Sequence, residues 1–205
     1  MDTHKTIRIE LHYFPSIQWM KQVIHAKTIE IEACENYQKG SYRNRAYFPG
    51  PNGQLLLSLP LVHGKNQHTT IQDVKLANNL PWKREQWKSL TFMYRSSPYF
   101  EYYEDELKAL FEAPNEFLFD WSYNLTAWLL KKFGFKGTLQ KSSHFKIEDP
   151  STINLRNKIK PGFSFEDSPV YFQLFEDRNG FFPNMSALDL LFMEGPAARE
   201  LLLIS

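Results

Sequence analysis

Pro81 separates two patterns in this sequence that no single kind of element can satisfy. Ahead of it, apolar and polar residues alternate in short stretches. In residues 6–13, Ile7, Ile9 and Leu11 share one face, and residues 28–33 alternate again. A period of two belongs to a half-buried strand. Residues 44–48 and 54–61 flank Gly50-Pro51-Asn52-Gly53, and such a turn between two strands predicts a hairpin. Residues 69–76 read as a further strand. Between the first two strands Phe14-Pro15 ends the extended chain. Ser16 then offers a cap to a short helix whose apolar stripe is Ile17, Met20, Val23 and Ile24.

Beyond Pro81 the apolar period lengthens to that of a helix. Proline suits a first helical position, and residues 82–95 follow it with good helix formers. Ser96-Ser97-Pro98 breaks that helix, and residues 99–112 make a second, acidic one. A third, about 115–133, sets Phe117, Trp121, Leu125, Trp128 and Leu129 on one stripe and ends at Gly134. Residues 141–168 are polar and bounded by prolines, the best place for a mobile excursion. Residues 171–175 read as a late strand. Ser186 caps a last helix with Met185, Leu188, Leu191 and Phe192 inward, and Asp189 stands where a capping box carries Glu or Gln. The order predicts an α/β or α+β fold in a single domain over residues 1–205. It has a mixed sheet from a strand-rich N-terminal half, a helical middle, one late strand and a C-terminal helix.

Composition removes several classes of function. A chain of 205 residues can bury a core without metals or disulfides, and 17 Phe, 10 Tyr and 5 Trp supply one rich in aromatics. The net charge of +1 makes a nucleic-acid partner unlikely to be the purpose of the fold. Charge is unevenly spread: net −6 over residues 101–120, +6 over 131–160 and −5 over 161–205. Solvated faces and complementary packing within the chain account for such blocks. The single Cys34 excludes an intramolecular disulfide, and its acidic neighbours favour a small buried residue over a nucleophile. No apolar run approaches the ~18 residues of a membrane span. The first ten residues lack a signal pattern, so a cytoplasmic location is expected. Phosphate-loop, dinucleotide, zincin and nucleophile-elbow motifs are all missing. Of the histidines at 4, 12, 25, 63, 68 and 144, none has a metal-ligand spacing.

Two features retain a claim on chemistry. His12 sits where a strand gives way to Phe14-Pro15, and strand ends are where α/β sites are assembled, so it is the acid/base candidate. Tyr37, Gln38, Lys39, Ser41, Tyr42, Arg43, Asn44 and Arg45 crowd nine residues between two predicted strands. Arginine offers a flat fork of donors to an anion, lysine a point charge, and tyrosine a face for a ring. Lys39, Arg43, Asn44 and Arg45 therefore suit an anionic group, with Tyr13, Tyr37 and Tyr42 lining the ring. Arg43 and Arg45 share a strand face, so at least one points inward and needs either a ligand or a buried carboxylate such as Glu10 or Glu35.

These residues also carry a family resemblance. Tyr13-Phe14-Pro15 with Ile17 and Trp19, then Glu35-x-Tyr37-Gln38-Lys39-x-x-Tyr42-Arg43-Asn44-Arg45, resemble the WbqC-like family. So do Trp87, Tyr94, Ser97-Pro98-Tyr99-Phe100, Tyr102-Tyr103, Tyr171-x-Gln173-x-Phe175, Gly180-Phe181, and Ser186 through Phe192 with Gly195. The resemblance implies a bacterial protein of surface-polysaccharide (O-antigen) gene clusters, with glycine or aminoacyl transfer suggested for some members. Glu10-Leu11-His12 stands where O-antigen members often carry Gln-Pro, which places this chain on a separate branch. Two readings follow. One is a cytoplasmic transferase of surface-polysaccharide or nucleotide-sugar metabolism, binding an anionic or sugar small molecule. The other is a non-enzymatic ligand-binding or protein-assembly module. Neither the cofactor nor the oligomeric state is marked in the sequence.

Overall fold

The computed structural model describes residues 6–62, 68–147, 149–162 and 167–204. His4, His63 and parts of the polar stretch (148 and 163–166) lie outside them. The elements run β1 (Thr6–Ile9), α1 (Ile17–Val23), β2 (Thr28–Ile31), β3 (Arg45–Gly50), β4 (Gly53–Ser58), α2 (Trp82–Tyr94), α3 (Phe100–Glu112), α4 (Leu118–Lys132), β5 (Thr138–Lys141), β6 (Thr152–Asn154), α5 (Glu176–Asn179), α6 (Ala187–Glu194) and α7 (Ala198–Leu203). The fold is α/β. Four strands form a parallel sheet in the order β5-β2-β1-β6, and β3 and β4 form a separate antiparallel hairpin.

Parallel neighbours need crossover connections. The β1–β2 crossover is α1, which starts because the Ser16 hydroxyl accepts from the Trp19 N–H. The β2–β5 crossover is the whole hairpin and helical middle. Central β1 is buried on both faces, with even Arg8 covered, whereas β5 and β6 at the edges are mostly exposed. The hairpin register pairs Arg45 with Ser58 and Gly50 with Gly53. Gly53 turns with φ 106°, a backbone angle that a side chain would strain.

Aromatic packing joins the helices to the rest. The Trp82 and Phe111 rings meet Trp121 edge-on at 5.4 and 5.3 Å, while Tyr94 and Phe100 close on Phe192 at 5.0 and 5.1 Å. The opposed charge blocks meet as well, through Lys132–Glu106 at 2.7 Å and Lys141–Asp120 at 3.2 Å.

Four local expectations fail, each for a physical reason. Residues 69–76 hold a 3₁₀ turn, Ile71–Asp73, instead of a strand. Thr70, Lys75 and Leu76 make single bridges to Asn36, Phe117 and Leu61, so no one neighbour offers a ladder. Residues 171–175 do alternate, with Tyr171 and Gln173 buried and Phe172 exposed, but no strand forms. The Gln173 side-chain amide accepts from Phe182 N–H and donates to Phe182 C=O, both at 2.9 Å, doing what a strand neighbour would. The polar stretch is less of an excursion than its composition suggests, because β6 within it returns to the sheet beside β1. At α6, Ser186 caps the Leu188 N–H, whereas Asp189 turns away to accept hydroxyl protons from Tyr94 and Tyr171.

Candidate functional site

In an open parallel sheet, ligands collect beyond the carboxyl ends of the strands, where the connections diverge. Here the connections diverge at β1, whose neighbours β2 and β6 lie on opposite sides. Each of the four strands is followed by polar residues that fold back over that edge: Glu10 and His12 after β1, Glu32 and Glu35 after β2, Ser142 after β5, and Arg156 and Asn157 after β6.

These groups form two linked networks. Arg43, only 2% exposed, grips both oxygens of Glu35, with Nε donating at 2.7 Å, and its Nη2 also donates to Asn157 Oδ1 at 3.0 Å. The Asn157 N–H donates to Glu10 Oε2 at 2.9 Å, so the turn after β6 is fastened to the end of β1. Asn157 adopts φ 60°, a left-handed angle that asparagine tolerates better than most residues. Beside this, fully buried Glu32 accepts from Arg156 Nη1 at 2.7 Å, Ser142 Oγ at 2.8 Å and the Cys34 N–H at 2.9 Å. Burial raises the Glu35 carboxyl above its ordinary range against the opposing pull of Arg43. For Glu10 burial also pushes upward, yet His12, Arg43 and the Asn157 N–H together bring it below its ordinary value.

His12 is 1% exposed. Its Nε2 lies 3.3 Å from Glu10 Oε1, and its ring stacks on Tyr42 at 4.9 Å. Burial lowers the imidazole pKa, with the hydrogen bond and charge of Glu10 opposing. If Nε2 carries the proton toward Glu10, Nδ1 is left as a lone pair; it is buried and has no hydrogen-bond partner among the described residues. Two residues on, Phe14 takes φ 45° while packed against Tyr13, Phe48 and Phe111. A bulky side chain in that region is strained, and strain of this kind gathers near working residues.

The other residues singled out from sequence divide. Tyr42 covers His12, and burial pushes its hydroxyl pKa up to about 12. Tyr37 is near enough to feel Arg45 and Arg43, although burial raises its phenol overall. It lines a crevice of about 400 Å³ with Glu35, Asn36, Gln38, Phe145 and Arg156, among others. Arg156 lies over the Phe145 ring at 4.6 Å. Arg45 is half-buried and makes no ion pair among the described residues, and Lys39 is exposed at the turn. Tyr13 is elsewhere, wholly in the core with its hydroxyl on Gln86. Asn44 ties the hairpin base through Leu59 C=O at 3.2 Å. The shared strand face does not apply to Arg43, because β3 begins at Arg45 and Arg43 turns in ahead of it.

Sequence reasoning overlooked Glu32, Ser142, Arg156 and Asn157. Glu32 carried a readable signal, a carboxylate ending an alternating strand. The other three had none, since all lie in the polar stretch 141–168, where the sequence predicts no strand. Among the described residues no three His, Cys, Asp or Glu side chains are grouped to hold a metal ion. Nor is any helix of those residues long and apolar enough to cross a membrane.

Fold and site together define an α/β protein with a polar, ion-paired crevice across the carboxyl edge of a parallel sheet. The chain belongs to the WbqC-like protein family, whose sequence model matches residues 11–161. That span takes in β2 to β6, the helical middle and both networks except Glu10; it begins after β1 and stops short of the Tyr171–Gln173 and Ser186–Phe192 segments. No curated protein and no solved structure matches the chain.

Proposed function

We propose that this protein is a transferase of surface-polysaccharide or nucleotide-sugar metabolism, with its ligand in the carboxyl-edge crevice and His12 as general base. One observation carries the reading. A buried imidazole has one nitrogen anchored by a carboxylate and the other, among the described residues, without a partner. Leaving an acceptor unpaired inside a protein costs stability, and such orphaned groups call for a role. A carboxylate that fixes one tautomer and presents the opposite lone pair is the arrangement used to take a proton from a hydroxyl or amine. For this to happen Tyr42 has to swing off the imidazole.

Within the crevice, Tyr37 and Phe145 offer ring faces, and Asn36 and Gln38 offer amides. The Arg43 and Arg156 forks are committed to Glu35 and Glu32, which makes them positioning residues that hold the floor in shape. Arg45 and Lys39, which make no ion pair among the described residues and stand outside the crevice lining, are the cations left for an anionic group. Glycine or aminoacyl transfer is the chemistry suggested for some family members, and an imidazole base that could take a proton from an amine fits it. Calorimetric titration with UDP-N-acetylglucosamine and dTDP-glucose tests the reading. Binding heat is expected, with Tyr37→Ala weakening affinity about five- to tenfold through the lost ring contact. No heat from either compound would refute it.

A further inference from the structure

A second crevice opens against Tyr42, and its chemistry differs from that of the first. It holds about 410 Å³, within the range of small-ligand sites. Tyr42 forms one wall, Tyr47 and Gln54 of the β3–β4 hairpin another, and Pro183, Asn184 and Met185 ahead of α6 a third. The two tyrosine rings stand nearly perpendicular, at 84° with centroids 5.9 Å apart, so they make an aromatic corner.

This corner is built before any ligand arrives. The Ser186 N–H donates to Tyr47 C=O at 2.8 Å, and the Ile17 N–H donates to Met185 C=O at 2.9 Å. Asn184, at φ 55°, accepts from the Gln18 N–H at 2.9 Å. Its carboxamide oxygen is thereby engaged, and its amide protons remain for the crevice. Gln54 is exposed and adds a second amide. Among the described residues, no Asp, Glu, Lys, Arg or His lines the space.

We propose that this crevice is a second ligand site, for an uncharged, hydroxyl-bearing ring of the pyranose type. The C–H face of such a ring packs on tyrosine, and its hydroxyls exchange hydrogen bonds with the two amides. A phosphate or carboxylate would lose hydration here without gaining a cation. Tyr42 also stacks on His12, so the two sites share this side chain. Calling its occupant the acceptor rests on the transferase reading. Its occupancy does not.

Saturation-transfer NMR on the full chain tests the site, with N-acetylglucosamine and methyl glucoside as uncharged probes and glucose 6-phosphate as the charged one. Transfer from the uncharged sugars is expected, reduced at least tenfold in Tyr47→Ala and Gln54→Trp and retained in Tyr37→Ala. Gln54→Trp alters an exposed position, so it decides the matter if Tyr47→Ala does not fold. The site is overturned by no transfer from either uncharged sugar, or by a preference for glucose 6-phosphate. Transfer that persists in a variant melting like the wild type, or is lost in Tyr37→Ala, overturns it equally. Uncharged sugars that bind while nucleotide sugars give no heat would keep this site and remove the first reading. The converse result would remove this site alone.

Discussion

Replacing Arg43 by alanine isolates what the buried Glu35–Arg43 pair contributes. The two side chains are 5% and 2% exposed, so neither is compensated by water when the other is removed. Alanine strands the Glu35 carboxylate and also frees Asn157 Oδ1, which Arg43 Nη2 engages. Breaking one side of such a pair costs about 3–5 kcal/mol. At about 2–4 °C per kcal/mol for a chain of this size, melting should fall by roughly 6–20 °C. Replacing both partners, as Arg43→Met with Glu35→Leu, removes the stranded charge and should cost clearly less than the two single variants added together. The pH dependence has a definite sign. Burial already raises Glu35, and losing Arg43 raises it further. A carboxyl whose folded pKa lies above its unfolded one favours the folded state increasingly as pH falls. The Arg43→Ala deficit should therefore shrink between pH 7 and 5. Urea and thermal melts of wild type, Arg43→Ala, Arg43→Met, Glu35→Leu and the double variant at both pH values are the assay. A single variant within about 2 °C of wild type, additive energies, or a deficit that grows on acidification would refute the reasoning.

Other outcomes follow from separate parts of the molecule. Burial pushes Asp189 up to about 7 despite the Tyr171 and Tyr94 hydroxyls, so its stabilising contribution should decline as pH rises from about 4 through 7. Urea midpoints across that window should fall more steeply in wild type than in Asp189→Asn, and parallel curves would contradict this. Gly195→Ala should destabilise by about 1–3 kcal/mol, because φ is 52° and an added Cβ would lie 2.4 Å from the Tyr99 ring. Calorimetric melting reads that directly, and an unchanged midpoint would mean that Tyr99 moves aside freely. Trp121→Ala should cost about 3–5 kcal/mol, since the ring is 1% exposed and supports Trp82 and Phe111. A loss below about 1 kcal/mol in denaturant titration would show that the helices repack around the gap.

What could be read from the sequence was whatever neighbouring residues specify among themselves. Ser16 capping α1, the Gly50–Gly53 turn, and the three helices between Pro81 and Gly134 all rest on signals within a few positions, and all form close to where expected. The edge strands escaped for the same reason. In β5 only Leu139 is even partly covered, and in β6 Ile153 is 39% exposed, so neither writes an alternating pattern. They exist because β2 and β1 offer backbone partners, which composition cannot report. The site divides in the same way. His12 and Arg43 stood out by residue type and place. Glu10 and Glu35 stand in the sequence as carboxylates for an inward arginine, and Arg43 does pair with Glu35; Asn157, more than a hundred residues from Arg43, had to be brought in by the fold. Tyr171 and Gln173 imitate a strand because side-chain bonding imposes the same alternation that a ladder would.

The central place of β1 has a consequence for the order of synthesis. It is made ahead of its partners in the sheet, and one flank is covered early by β2. Its other flank waits for β6 at residue 152. At about 5–20 residues per second, that is on the order of 10 s during which the nascent chain carries an unclosed apolar edge at Ile7 and Ile9. A two-stranded ribbon is marginal by itself, and an open edge is a template for pairing with other chains. The last strand to arrive therefore does more than widen the sheet. By fastening Asn157 to Glu10 it closes the interval in which this chain is most exposed to aggregation.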